Sequence, residues 1–134
     1  FAGRAGQLLN RMLSAIGLER SGVYIANTVP WRPPGGRAPS PQETAICLPF
    51  ITRQIALVNP QVLVCLGAAS AQALLNVNGI LRARGQWRDY SLPSGTTIPA
   101  MPTLHPAYLM RSPAAKRHVW ADLRQIRRAL DAAN

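Results

Sequence analysis

Acidic side chains are scarce: five Asp and Glu stand against fifteen Lys and Arg in 134 residues, a formal net charge of +10. So strong an imbalance argues against a neutral small-molecule partner and for a polyanion. Lysine is nearly absent as well, because every basic residue except Lys116 is an arginine, and the planar guanidinium suits phosphate oxygens. A genome-wide preference for arginine and alanine produces the same composition, so charge alone leaves nucleic-acid binding and compositional bias both open. Cysteine is limited to Cys47 and Cys65, far apart in the chain, which excludes a disulfide framework and fits a reducing cytoplasm. No apolar run is long enough to cross a bilayer, and the first residues lack the charged-then-apolar layout of a signal peptide. Neither a membrane partner nor a repeat architecture is therefore expected, and the one biased tract is a proline loop.

The length suits one domain spanning residues 1–134 with a real hydrophobic core. The chain opens on Phe1 and runs straight into a helix pattern, from which an amino-terminally truncated domain is expected. Leu8, Leu9, Met12, Leu13 and Ile16 fall at helical spacing ahead of Gly17, a plausible stop. Val23 to Asn27 reads as a short buried strand. Pro30 to Pro41 holds five prolines, two glycines, Arg32 and Arg37, a stiff basic loop suited to touching successive phosphates. Ser40 is the candidate cap of the next helix, with Ile46, Leu48, Phe50, Ile51, Ile55 and Val58 as its buried side and Asn59-Pro60 as its end.

Val62 to Gly67 is a near-continuous apolar run followed by a small-residue helix, 68–75, the pattern of a parallel strand buried on both faces. Cys65 reads there as a core residue. Arg82, Arg84, Trp87 and Arg88 suggest a strand or hairpin edge near a basic face. Thr97 to Leu104 reads as a strand that His105-Pro106 terminates, since Pro106 has no N–H for a ladder. Ser112-Pro113 opens a last helix with an apolar stripe of Val119, Trp120, Leu123, Ile126 and Leu130. Strands alternating with helices predict a three-layer α/β/α domain with a short, mostly parallel central sheet whose first strand is missing from this chain. Asn27 and His105 then sit at strand carboxyl ends on one rim, where open α/β sheets bind ligands. Each also has a plain alternative, Asn27 as a turn cap and His105 as a structural histidine.

Phe1-Ala2-Gly3-Arg4-Ala5-Gly6-Gln7-Leu8-Leu9, Ile25-Ala26-Asn27, Arg32-Pro33-Pro34, Pro49-Phe50, Leu66-Gly67 and His105-Pro106-Ala107-Tyr108-Leu109 together resemble the family 4 uracil-DNA glycosylases of bacteria and archaea. The resemblance covers nearly the whole chain, and the His-Pro-Ala-Tyr-Leu block is its most specific part. It implies a repair enzyme that flips uracil out of DNA and hydrolyses its glycosidic bond to leave an abasic site, because the bond is unreachable in the stack. By the same likeness Phe1 stacks on the flipped base, and Asn27 reads its edge. Asn27 would donate to O4 and accept from N3–H, a polarity that cytosine reverses. His105 is implied to stabilise the charge growing on uracil O2, Leu109 and Met110 to form a wedge in the DNA, and Arg111 to reach a phosphate.

Two departures accompany the resemblance. The family's Gly-Glu-Ala-Pro-Gly-like motif, whose acidic residue positions the attacking water, does not occur in these residues, so the chain alone is expected to be inactive. The family also holds a 4Fe-4S cluster through four cysteines. Here Trp31 stands at one ligand position and Cys47 matches another, so no ordinary cluster is expected in this chain. The implied partners are uracil-containing DNA and the enzymes that process abasic sites, with the protein a cytoplasmic monomer. A catalytically inactive nucleic-acid-binding module on the same scaffold is the alternative from a different functional class.

Overall fold

Apolar spacing closes residues Gly3–Ala15 into helix α1, which buries Gly6, Leu9 and Met12. Its end is a glycine stop: Gly17 adopts φ +76 and the Leu18 N–H reaches back to the Leu13 carbonyl at 2.8 Å, satisfying an orphan acceptor. The computed structural model describes residues 3–26 and 40–133. Helix α2, Pro41–Val58, begins at a full capping box, with the Glu43 N–H donating to Ser40 Oγ at 3.1 Å and the Ser40 N–H to Glu43 Oε1 at 2.9 Å. It ends at Asn59 in the left-handed region. Then follow β1 (Leu63–Leu66), α3 (Ala68–Leu75), α4 (Ile80–Ala83), β2 (Arg88–Ser91), β3 (Thr97–Thr103), α5 (Pro106–Arg111) and α6 (Lys116–Ala133).

The three strands form one sheet in the order β1-β3-β2, with β1 parallel and β2 antiparallel to β3. Alternation along the strands sorts the core into two layers. Met101 and Val64 join Met12 of α1, Ile16 just beyond it, Leu109 of α5, and Val119, Leu123 and Ile126 of α6. Ile98, Ala100 and Leu63 pack on the opposite side against Ile51 and Ile55 of α2, with Leu74 and Leu75 of α3. This is the three-layer α/β/α arrangement, with a sheet that is mixed among the described residues. β3 is central yet contains two prolines, which deny ladder donors. Pro99 pairs with Asp89 on β2 beyond the start of β1, and Pro102 pairs with Cys65 on β1 beyond β2. Each thus has a strand on one side only and can turn its missing N–H to the other.

A buried polar tie joins three elements. Asp122 of α6 is fully buried, accepts from Arg84 Nε at 3.1 Å and Nη2 at 2.8 Å, and accepts from the Thr103 hydroxyl at 2.6 Å. A carboxylate taken out of water is stable only when paired and hydrogen-bonded this fully, and removing one partner of such a pair typically costs about 3–5 kcal/mol. Gly85 makes the approach possible: at φ +76 its N–H donates to the Pro102 carbonyl at 2.9 Å, and a Cβ there would stand 2.5 Å from Asp122 Oδ1.

Several expectations are corrected. Residues 23–26 form no strand, and Asn27, where that strand was to end, lies outside the described residues. The third strand is instead β2, the edge suspected from its arginines, although Arg84 points inward to Asp122 rather than joining a basic surface. On α2 the buried positions are Cys47, Ile51 and Ile55, spaced four apart, while Ile46 and Phe50 are about two-thirds exposed at 66% and 65%. The dense apolar content of that helix hid which stripe faces the sheet. Trp120 is off the α6 stripe, one residue past Val119, and its exposed ring lies under the Arg124 guanidinium at 5.9 Å.

Gly85→Ala is expected to destabilise the protein by about 3 kcal/mol, because the left-handed backbone is strained for alanine and the new methyl displaces Asp122. Equilibrium urea unfolding checks this; a loss under about 1 kcal/mol would show that α6 shifts freely and that the tie is slack.

Candidate active site

β3 stops at Thr103, and three residues later Pro106 occupies the first turn of α5, where its fixed φ and missing N–H are both tolerated. His105 between them is the N-cap, with extended backbone at φ −72 and ψ 142. Its Nδ1 accepts the Ala107 N–H at 3.0 Å, work usually done by a serine, aspartate or asparagine oxygen. Its carbonyl accepts from Tyr108 N–H at 2.9 Å. An acceptor at Nδ1 places the proton of the neutral ring on Nε2, so the imidazole carries one directed N–H donor. Burial pushes its pKa below the ordinary 6.5, and neighbouring positive charge that includes Arg111 pushes the same way. At neutral pH the ring is therefore uncharged.

Gly67, at the end of β1, is the residue that lets the ring sit there. Its φ is +93, and a Cβ on it would stand 3.1 Å from His105 Cβ. The Gly67 N–H also donates to the Thr103 carbonyl at 2.8 Å, joining the ends of β1 and β3. Sequence reasoning noted Gly67 as a strand-end glycine but missed this contact, which only the parallel register of β1 and β3 reveals. His105, Thr103 and Ser70 line a cavity of about 730 Å³ whose remaining wall is mostly apolar, from α1, α2, β1 and residues 22–26. A concave, mainly apolar space with a few polar groups on its wall has the character of a site for a flat ring bearing carbonyl oxygens.

Of the residues singled out from the sequence, the structure gathers His105, Leu109, Met110 and Arg111 on one short turn of chain. Leu109 is corrected: it is 1% exposed and belongs to the core between α1 and α6, so it anchors α5 rather than forming an exposed wedge. Met110 beside it is 41% exposed, and Arg111 is exposed with no hydrogen bond or ion pair among the described residues. Phe1, Asn27, Trp31, Arg32 and Arg37 lie outside the described residues. Two residues that sequence reasoning missed are Asp122 and Thr103. The spacing carried a signal for the first, since 122 lies three after Val119 and four before Ile126, on the buried stripe.

The cysteines do not assemble a metal site by themselves. Cys47 is wholly buried in α2, and burial pushes the Cys65 thiol on β1 up to about 12. Among the described residues no three His, Cys, Asp or Glu side chains converge, and two cysteines in the chain fall short of the four thiolates a 4Fe-4S cluster takes.

Residues 1–124 match the family model of the uracil DNA glycosylase superfamily. Among curated proteins, the type-4 uracil-DNA glycosylase of Thermotoga maritima is 40% identical over 114 residues, covering 84% of this chain and 57% of its own. Those of Pyrobaculum aerophilum and Archaeoglobus fulgidus are each 35% identical, over 128 and 131 residues, covering 92% and 94% of this chain and 65% of their own. The chain thus spans roughly three-fifths of the length of these relatives. Among the described residues, no helix is long and apolar enough to cross a membrane.

Because the folded imidazole resists protonation, its contribution to stability is complete above pH 6.5 and is lost as pH falls from there through the lower folded value. A 15N-histidine titration is expected to show His105 in the Nε2–H form with a midpoint below 6.5; a midpoint above 6.5 would contradict the geometry at Nδ1.

Proposed function

We propose that this chain, which belongs to the uracil DNA glycosylase superfamily, carries the leaving-group half of a DNA repair glycosylase that flips uracil from DNA and hydrolyses its N-glycosidic bond. The observation that carries the reading is the hydrogen bond His105 Nδ1 accepts, which assigns the proton of the neutral ring to Nε2. With Nδ1 engaged by the Ala107 N–H at 3.0 Å, the ring turns an N–H rather than a lone pair outward at Nε2. As the bond from C1′ to the uracil nitrogen breaks, its electron pair passes into the base and charge collects on O2. Water adds at C1′ and the products are uracil and an abasic site. A neutral donor held in place before the charge appears needs no reorganisation, and one such donor typically contributes about 3–4 kcal/mol to the transition state. A protein carboxylate that activates the water is not assigned to this chain.

The rest of the recognition follows the same reading. Asn27 distinguishes uracil from cytosine by donating to O4 and accepting from N3–H, and Phe1 stacks on the extruded base. Met110 is the apolar tip that fills the vacated stack, with Leu109 as its buried anchor, while Arg111, Arg32 and Arg37 hold phosphates. Trp31 serves as a non-ligand, leaving Cys47 as the one family thiolate position in the chain. The substrate is uracil-containing DNA, the abasic product passes to enzymes that process such sites, and the protein works as a cytoplasmic monomer.

The test is single-turnover uracil release from a labelled oligonucleotide by the full-length protein, with cytosine and thymine controls. Release confined to uracil is expected, and His105→Ala is expected to slow it about 100-fold while DNA affinity stays within twofold. Equal losses in rate and affinity would remove the transition-state role. Tight, salt-sensitive binding without release would favour the inactive binding module instead. Asn27→Asp is expected to lower the preference for uracil over cytosine by about tenfold or more, since a carboxylate has no proton for O4; an unchanged ratio would take base reading away from Asn27.

A further inference from the structure

Thr103, two residues before the imidazole, is held from both sides of its peptide. Its hydroxyl donates to Asp122 Oδ2 at 2.6 Å, and its carbonyl accepts the Gly67 N–H at 2.8 Å. Asp122 cannot drift, because Arg84 grips both its oxygens, at 3.1 and 2.8 Å, and Arg84 Nη2 also reaches the His118 carbonyl at 3.4 Å. Between Thr103 and His105 lies only Leu104, 1% exposed, so displacement at the hydroxyl passes along a packed backbone. On the ring's other flank stands Gly67, whose own position depends on the Thr103 carbonyl.

Simple stability does not call for this construction. A buried ion pair is often matched or bettered by apolar residues of the same volume, and Val119 and Leu123, neighbours of Asp122 on α6, already belong to an apolar cluster with Met101 of β3. What an apolar contact does not supply is direction: a hydroxyl bonded at 2.6 Å to a doubly gripped carboxylate fixes the end of β3 along a bond, whereas methyl groups slide. We propose that Thr103 and Asp122 are positioning residues for His105, the Arg84–Asp122–Thr103 chain setting where β3 delivers the imidazole. The consequence for turnover rests on the glycosylase reading; the effect on the ring itself does not.

Thr103→Val keeps shape and removes only the hydroxyl, leaving Asp122 still gripped by Arg84. In the full-length protein, 15N-histidine spectra, with His105 assigned by its loss in His105→Gln, report the ring nitrogens independently of activity. In Thr103→Val the His105 nitrogen shifts are expected to move, and the single-turnover rate to fall about tenfold with DNA affinity within twofold, as a displacement well under 1 Å implies. Thr103→Ser is expected to restore both. Asp122→Asn should act in the same direction and more strongly, and if it does not fold Thr103→Val carries the test. Unchanged His105 shifts in Thr103→Val would overturn the proposal even if stability dropped. Shifted resonances in a protein that never releases uracil would uphold the positioning and instead sink the glycosylase reading.

Discussion

A single buried carboxylate governs the geometry of this chain. Asp122 brings its carboxylate into the layer between α6 and the sheet, where Arg84 and Thr103 supply it with three hydrogen bonds. Those two partners come from the end of α4 and the end of β3, so one ionised group dictates where three otherwise separate elements meet. The glycine at 85 is part of the same constraint, because the backbone must pass closer to the carboxylate than any Cβ allows. Hydrophobic burial builds both core layers, but it is non-directional and would accept small slides of one element over another. The polar tie removes that freedom at the rim where the imidazole sits.

The site is assembled from features that compete with regular structure. β3 tolerates Pro99 and Pro102 because its two neighbours overlap only at Ala100. That staggering leaves β1 as the only strand beside the carboxyl end of β3 among the described residues, with the Gly85 N–H taking the Pro102 carbonyl on the other side. Pro106 then ends the extended chain and starts α5, and the helix start in turn supplies the N–H that fixes the tautomer. Sheet termination, helix initiation and ring orientation are thus one event spread over four residues.

Much of this was legible in the sequence where physics leaves a period. The helix of α1 with its glycine stop, the capped start of α2, the buried β1 and the strand ending before His105 follow from spacing and breaker residues. The stretch Val23–Ala26 reads as a strand on composition, yet in the structure it pairs with nothing among the described residues; β propensity is only a readiness to pair. On α2 the run from Ala45 to Ile51 is apolar throughout, so the periodicity that would mark the buried stripe is saturated there, and Ile46 and Phe50 came out on the wrong side. Leu109 misled for a related reason, since a motif shows which residues travel together without showing which one turns inward. The Arg84–Asp122 pair spans 38 residues, and nothing local announces a contact of that separation.

The way His105 is oriented has an electrostatic consequence. Many sites orient an imidazole with a carboxylate behind it, which stabilises the ring but adds a negative charge facing whatever approaches. Here the orienting group at Nδ1 is a main-chain N–H, the positive end of a peptide dipole. Of the chain's few carboxylates, Asp122 and Asp131 are matched to arginines and Glu43 is turned to the cap of α2. The group behind the ring therefore adds no negative charge to the site, and Arg111, on the same short helix, adds positive charge beside it.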